Sequence, residues 1–311
     1  MRSRIALLIA ATVASACSAG SPPAPTGMPA QLTLAVPTAP VGLDCIAVAD
    51  GAPTRPVRVV RSFAEPFDRL DMRRWTPHFD GKYEWPVKRT LAGNREQQFY
   101  VDKGYRGTGP RALGLDPFSI RDGILTITGS KAPDAALPYL YGYRYVSGLL
   151  TTRASLVQTY GYFEMRGRIP AGQGLWPAFW LIPADKSWPP EIDVIEARGN
   201  DPSKIAMSVH WKQNGTGPHM GTGCKPQVAD STTAFHLYGV LWQPDRLTFY
   251  IDRKPVGTAA RPPGMDRAMY MLVNLAMGGN YGGNVDATTP LPARMEVDHI
   301  ASYTVDAGGT R

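Results

Sequence analysis

Short runs of alternating apolar and polar residues recur along this chain and limit the folds that it can adopt. Residues 162–169, 247–252 and 295–300 alternate in this way. A period of two places successive side chains on opposite faces of a strand. Each run is short and ends at Gly, Pro, Asp or Asn, which are turn residues. The pattern predicts an all-β protein, a two-sheet antiparallel β-sandwich.

The length and composition suit one large domain behind an N-terminal leader. The chain has 311 residues, of which 43% are hydrophobic. Residues 1–16 have a basic start, an apolar run and a small-residue close, which predicts a secretory signal peptide. Residues 17–56 are rich in Pro, Ala and Thr and are predicted to form a flexible tether, with a short strand near 32–36. The folded domain is predicted to span residues 57–306.

The three cysteines bear on where the protein works. Cys17 follows an Ala-Ser-Ala cleavage sequence and also resembles a lipoprotein site, so a soluble form (periplasmic or extracellular) and a form anchored by lipid on Cys17 are both open. Because an exported protein meets oxidising conditions, Cys45 and Cys224 are predicted to form a disulfide. The alternative is two buried free thiols. With no Cys–His cluster near them, a zinc site is not expected.

The formal net charge of +7 gives little support for a nucleic-acid partner. The basic residues are scattered and form no dense run, which is typical of a solvated basic surface. Attraction to an acidic polysaccharide remains open. We expect the protein to be a monomer.

Residues 191–196, Glu-Ile-Asp-Val-Ile-Glu, place three carboxylates in a short apolar stretch. Its β-branched residues favour a strand, in which Glu191 and Asp193 would share a face and Glu196 would lie on the other. A single β-bulge inside the motif would bring Glu196 to the same face. Burying such a row is costly, and two carboxylates flanking a glycosidic bond are what glycoside hydrolysis requires. The motif therefore predicts a glycosidase; a solvated edge strand is the alternative.

Aromatic side chains near the acids are candidates for sugar binding, because sugars stack their C–H faces on aromatic rings. Trp176, Trp180 and Trp188 lie just before the motif, and core packing is the alternative for each of them. His210 lies on a later predicted strand and is expected to hydrogen-bond the acid row. The alternative for His210 is a satisfied core histidine.

The acid motif and its surroundings resemble glycoside hydrolase family 16, in the laminarinase-like branch that carries the bulged motif. Matching segments follow in the expected order and cover about residues 60 to 305. They are residues 93–102, 145–152, 160–170, 172–196, 209–211, 235–245, 249–256, 274–280 and 295–303. The resemblance implies a concanavalin A-like β-jelly roll, with a concave sheet that forms an open substrate cleft.

The resemblance also implies an exported, retaining endo-β-glucanase that cleaves β-1,3- or mixed β-1,3/1,4-linked glucan. Glu191 would be the nucleophile, Glu196 the acid/base that holds a proton, and Asp193 the assistant between them. Asn94 and Tyr100 would line the minus side of the cleft. Residues 117–128 look like those of enzymes that trim bacterial exopolysaccharides, so a related exopolysaccharide is an alternative substrate.

No cofactor is required by this interpretation. In several family members an Asp that matches Asp298 helps to hold a structural calcium, here with groups near Glu65, and oxygen ligands suit calcium. Two other functions remain open from the sequence. One is a transglycosylase on the same scaffold, and the other is a non-catalytic carbohydrate-binding β-sandwich.

Overall fold

The computed structural model describes residues 27–79 and 87–306, and most of their regular structure is β. The strands are β1 (Gln31–Pro37), β2 (Ile46–Ala47), β3 (Thr54–Glu65), β4 (Gln98–Tyr100), β5 (Phe118–Arg121), β6 (Ile124–Lys131), β7 (Tyr145–Ser147), β8 (Leu149–Thr151), β9 (Gly161–Arg168), β10 (Leu175–Pro183), β11 (Glu191–Arg198), β12 (Asp201–Lys212), β13 (His219–Cys224), β14 (His236–Trp242), β15 (Arg246–Ile251), β16 (Lys254–Ala260), β17 (Met269–Met277) and β18 (Ala293–Val305).

Helical structure is limited to short turns in the described ranges. They are one α-helical turn, α1 (Gly279–Gly282), and the 3-10 turns Val87–Arg89, Ala92–Asn94, Asp134–Tyr139 and Gln213–Gly215. Across residues 27–79 and 87–306, no helix is both long and apolar enough to cross a membrane.

The strands form two sheets, so the predicted all-β, two-sheet fold is confirmed. The larger sheet has the order β2-β16-β15-β14-β9-β18-β6-β7-β4, with β3 beside β18, β1 beside β3 and β5 beside β6. The smaller sheet has the order β13-β12-β11-β10-β17-β8. All neighbours are antiparallel except β4 and β7. The two sheets share one core, in which Phe163 and Phe249 of the larger sheet pack with Phe179 and Ile192 of the smaller one.

The smaller sheet also buries side chains on its outer face, which explains why β10 and β17 are apolar on both sides. Trp180, Ile182 and Leu272 form a separate cluster on this outer face. Tyr100, the last residue of β4, and Phe79, in the loop before Val87–Arg89, pack in the same cluster. The alternation along β10 therefore places Phe179 and Leu181 in the central core and Trp180 in this second layer. This outer layer forms the floor on which the acid row lies.

The folded domain begins earlier than the predicted boundary at residue 57. Strand β1 pairs with β3 from Gln31↔Val60 to Pro37↔Thr54. Leu34 and Val36 are buried in a cluster with Tyr162 and Tyr250 of the larger sheet. Burying an aliphatic side chain stabilises a fold by about 1.5–3 kcal/mol, so Leu34 and Val36 help to order this strand together with its pairing to β3. The signal-peptide prediction and Cys17 lie outside the described residues.

Cys45 and Cys224 form a disulfide, with their Cα atoms 5.5 Å apart. The bridge joins the segment between β1 and β3 to the last residue of β13, the edge strand of the smaller sheet. A Cβ at Gly257 would lie 2.6 Å from Sγ of Cys224, so only glycine fits there without displacing the bridge.

Candidate active site

A β-bulge in β11 places the three acidic side chains of residues 191–196 on one face. Strand β10 pairs Ala178 with Glu196 and Trp180 with Asp193, and the register shifts between these pairs. Strand β12 shows the same shift between Asp193 and Glu196. Val194 is the extra residue, because Ile195 still has a partner on β10. The bulge that the spacing of the acids predicted is therefore present.

The acids line a cavity of about 500 Å³ on the outer face of the smaller sheet. All nine residues that the sequence predicted for the cleft line this cavity, although they come from four strands and two loops. They are Asn94, Tyr100, Trp176, Trp180, Trp188, Glu191, Asp193, Glu196 and His210. Asp193 is recessed, with 1% of its surface exposed.

Two tryptophans hydrogen-bond the two glutamates directly, which the sequence did not predict. Nε1 of Trp176 donates to Oε1 of Glu196 at 2.9 Å, and Nε1 of Trp188 donates to Oε2 of Glu191 at 2.6 Å. The indole N–H is a donor only, so each contact favours the ionised carboxylate. Trp188 is also 47% exposed, which leaves its ring accessible to a sugar.

Trp180 and His210 have different surroundings. Trp180 is 9% exposed and donates to Oδ1 of Asn274 at 2.7 Å, so it combines core packing with a place in the cavity wall. Nε2 of His210 lies 3.0 Å from Oδ2 of Asp193, and its Nδ1 lies 3.0 Å from Nε2 of His219. His210 therefore contacts the acid row instead of being a core histidine.

Burial raises the pKa of every carboxyl in the row. The pKa of Glu196 is raised to about 7, first by burial and then by the charge of Glu191. Burial followed by the charge of a neighbouring carboxylate also raises the pKa values of Glu191 and Asp193 well above their ordinary values. The row therefore carries fewer than three negative charges at neutral pH and keeps at least one proton.

The family model for glycosyl hydrolases family 16 matches residues 118–299, which is more than half of the chain. The chain belongs to this family. Two proteins of Rhizobium meliloti (strain 1021), the endo-1,3-1,4-beta-glycanases ExsH and EglC, are each 42% identical to it. The matches cover 79% and 80% of this chain, respectively, and 52% of each relative. The chain thus spans about half the length of these relatives.

A solved structure gives the same picture of the fold. The endo-beta-1,3-glucanase from Pyrococcus furiosus is 26% identical, with a TM-score of 0.64, and the match covers 85% of this chain and 98% of that one. The comparison supports the family 16 fold that the sequence resemblance implied.

Four cavity residues of this family 16 chain that carry polar side chains were missed in the sequence. Asn274 accepts from Trp180 and donates to the hydroxyl of Tyr100 at 3.0 Å. Glu96 is buried, accepts from Gln98 at 2.6 Å, and has its pKa raised by burial to about 7. Asn274 and Glu96 lie in segments that matched the family, so the signal was present.

The other two missed residues gave no such signal. The centroid of the Tyr281 ring lies 5.2 Å from that of Trp176. The guanidinium of Arg198 lies over the Tyr281 ring, 4.6 Å from its centroid. His219 stacks on His210 with the ring centroids 5.1 Å apart. Both residues follow glycine-rich stretches without a recognisable motif, and only the fold brings them to the cavity.

The residues around Asp298 do not fit the calcium that the resemblance implied. Oδ2 of Asp298 lies 2.8 Å from Nη1 of Arg166 and 3.1 Å from Nδ1 of His299. Glu65 instead accepts hydrogen bonds from Phe67 and Trp75 and pairs with Arg74. A guanidinium thus already neutralises each carboxylate, and a cation would have to displace it. These two carboxylates therefore do not fit calcium, and a calcium held by Asp298 with other groups near Glu65 stays a prediction.

Proposed function

We propose that this protein is a retaining endo-β-glucanase that hydrolyses β-1,3- or mixed β-1,3/1,4-linked glucan. One observation carries the proposal: the bulge of β11 puts Glu191, Asp193 and Glu196 on one face, inside a cavity walled by tryptophans. The names of the two Rhizobium relatives and of the Pyrococcus enzyme support the substrate class. A non-catalytic sugar-binding module has no use for one buried and two half-buried acids in a row, whose desolvation is costly.

The reaction would proceed by double displacement. The carboxylate of Glu191 attacks C1 of the sugar while Glu196 gives its proton to the departing glycosidic oxygen, which leaves a glycosyl-enzyme ester on Glu191. Glu196, now ionised, takes a proton from water, and the hydroxyl attacks C1 and releases Glu191. After one cycle Glu191 is again ionised and Glu196 again carries its proton.

The pKa of Glu196 fits its proposed role as the acid/base. A pKa of about 7 lets Glu196 hold a proton at neutral pH and release it readily, as an acid/base must. Glu191 has to be ionised to attack, and the N–H of Trp188 stabilises that form. Burial is the main cause of the raised pKa of Glu191, and a proton held by Asp193 removes the charge repulsion that adds to it.

The place of action and the natural polymer are further parts of the proposal. The disulfide between Cys45 and Cys224 supports export to an oxidising compartment, as does the predicted signal peptide. A bacterial exopolysaccharide that contains β-linked glucose is the alternative natural substrate. Whether Cys17 carries a lipid is a question for mass spectrometry of the mature protein.

Product analysis tests the proposed function. The purified protein is incubated with laminarin, lichenan and acidic exopolysaccharides, and product sizes are followed over time, with and without an added acceptor sugar. We expect short oligosaccharides from internal cleavage of laminarin or lichenan, and no cleavage by Glu191→Gln. Products longer than the donor would indicate a transglycosylase, and the absence of cleavage on every polymer would refute the proposal.

A further inference from the structure

His219 lies outside the acid row but closes a chain of contacts around it. The His219 ring stacks on that of His210 and also lies 5.1 Å from the indole of Trp188. Trp188 donates to Glu191, and His210 reaches Asp193. The nucleophile and the assisting acid are thus each held by a side chain that contacts His219.

The strand that carries His219 is held by its pairing with β12 and by a disulfide at its far end. Strand β13 pairs with β12 from Lys212↔His219 to Met207↔Cys224. Cys224, at its end, is bonded to Cys45. An edge strand has neighbours on one side only, so the disulfide adds the second anchor and limits the movement of β13 against β12.

The contact between the two histidines links the position of the proton on His210 to that on His219. A neutral imidazole has one N–H and one acceptor nitrogen. If Nε2 of His210 donates to the carboxylate of Asp193, its Nδ1 must accept, and Nε2 of His219, 3.0 Å away, must donate. The orientation of the His210 ring also matters. Its Nε2 lies 3.0 Å from Oδ2 of Asp193, but that oxygen receives no well-aligned hydrogen bond from the described residues. A small rotation of the His210 ring would align that bond.

We propose that His219 is a positioning residue of the active site, which fixes the tautomer and ring orientation of His210 against Asp193 and supports Trp188 against Glu191. The proposed effect of His219 is exerted through His210 and Trp188. Its effect on turnover rests on the proposed function, whereas its effect on His210 does not. Loss of His219 should therefore lower kcat by a larger factor than it raises KM, since His219 has no contact with the other two tryptophans of the cavity, Trp176 and Trp180.

The test compares His219→Ala, His219→Gln and the control Met220→Ala. Met220 is the next residue on β13, is 39% exposed and does not line the cavity. A glutamine side chain can place an amide N–H near the position of Nε2, so it should preserve the contact. Thermal melting establishes that all three variants fold. Two readouts follow: kinetics on the glucan that the wild type cleaves, and the ¹⁵N–¹H spectrum of the five histidines in the free protein.

We expect His210 to show one tautomer, with the proton on Nε2, in the wild type, His219→Gln and Met220→Ala. In His219→Ala the two tautomers should mix, and kcat should fall about 10-fold, as small misplacements of catalytic groups do. A wild-type kcat in His219→Ala, or an unchanged His210 tautomer in that variant, would each overturn the proposal. If the wild type cleaves no glucan, the proposed function fails, and the tautomer in His219→Ala still decides whether His219 fixes His210.

Discussion

Trp176 on β10 donates its indole N–H to Oε1 of Glu196 on β11, at 2.9 Å. This contact opposes the effect of burial on the same carboxyl. Burial raises the pKa of Glu196 to about 7, and the hydrogen bond from Trp176 lowers it by favouring the ionised form. Trp176, which was predicted as a sugar platform, therefore also limits how firmly Glu196 holds its proton.

Trp176→Phe should move the pH dependence of activity to higher pH. Phenylalanine keeps an aromatic ring but lacks the N–H, so the pKa of Glu196 should rise above its wild-type value of about 7. Glu196 would then keep its acidic proton to a higher pH. The measurement is the pH profile of kcat/KM, whose basic limb reports the essential acid of the free enzyme. A basic limb that is unmoved, or that shifts to lower pH, would contradict this role.

Azide should distinguish the two glutamates. Glu196→Ala should lose far more activity on polysaccharide than on an aryl glycoside with an acidic phenol, because that leaving group needs little protonation. Azide should partly restore the second reaction by attacking the glycosyl-enzyme, which gives a β-glycosyl azide. Glu191→Ala should give an α-glycosyl azide, since the anion replaces the nucleophile. Product configuration is read by proton NMR, and swapped products would mean that the roles are reversed.

Stability should fall as the pH rises from about 4.5 to about 7, in part because of Glu96. Burial raises the pKa of this carboxyl to about 7, so in that window the folded protein holds a proton that the unfolded chain has lost. The free energy of unfolding then falls by about 1.4 kcal/mol for each unit of raised pKa. Glu96→Gln removes this titration and should flatten the slope. Urea unfolding at several pH values compares the two proteins, and parallel slopes would refute the assignment.

The disulfide should contribute strongly to stability. It closes a loop between residues 179 positions apart, and removing such a bridge costs about 2–5 kcal/mol. We expect the double variant Cys45→Ser, Cys224→Ser to unfold at a lower urea concentration than the wild type. Reductant should destabilise the wild type and leave the double variant unchanged. Equal stability of the oxidised wild type and the variant would show that the bridge is energetically neutral.

The acid row and its bulge could be predicted because few arrangements tolerate them. Three carboxylates in an apolar strand are too costly to bury without a function, and only a bulge puts Glu196 beside Glu191. The alternation of apolar residues likewise predicted the sandwich. Strand β1 was predicted only in part. The Pro- and Ala-rich composition around 31–37 suggested a tether, whereas Leu34 and Val36 carry the apolar pattern of a strand.

The contacts between side chains could not be predicted, because they depend on how distant strands meet. Trp176 and Trp188 were predicted as sugar platforms, and nothing in their spacing indicates that their N–H groups reach the glutamates. His219 became visible only when β13 was paired with β12. The matching residue Asp298 suggested calcium, and the fold places Arg166 beside its carboxylate, a contact that the sequence did not indicate.

The central claim is that Glu191 and Glu196 act together in a retaining double displacement, and the configuration of the first product tests it most directly. Proton NMR follows the anomeric signals during the first minutes of glucan hydrolysis, before mutarotation mixes them. Attack by Glu191 and then by water on opposite faces inverts C1 twice, so the β-anomer should appear first and the α-anomer should grow in slowly. An initial α-anomer would mean a single inverting displacement and would contradict the assigned roles.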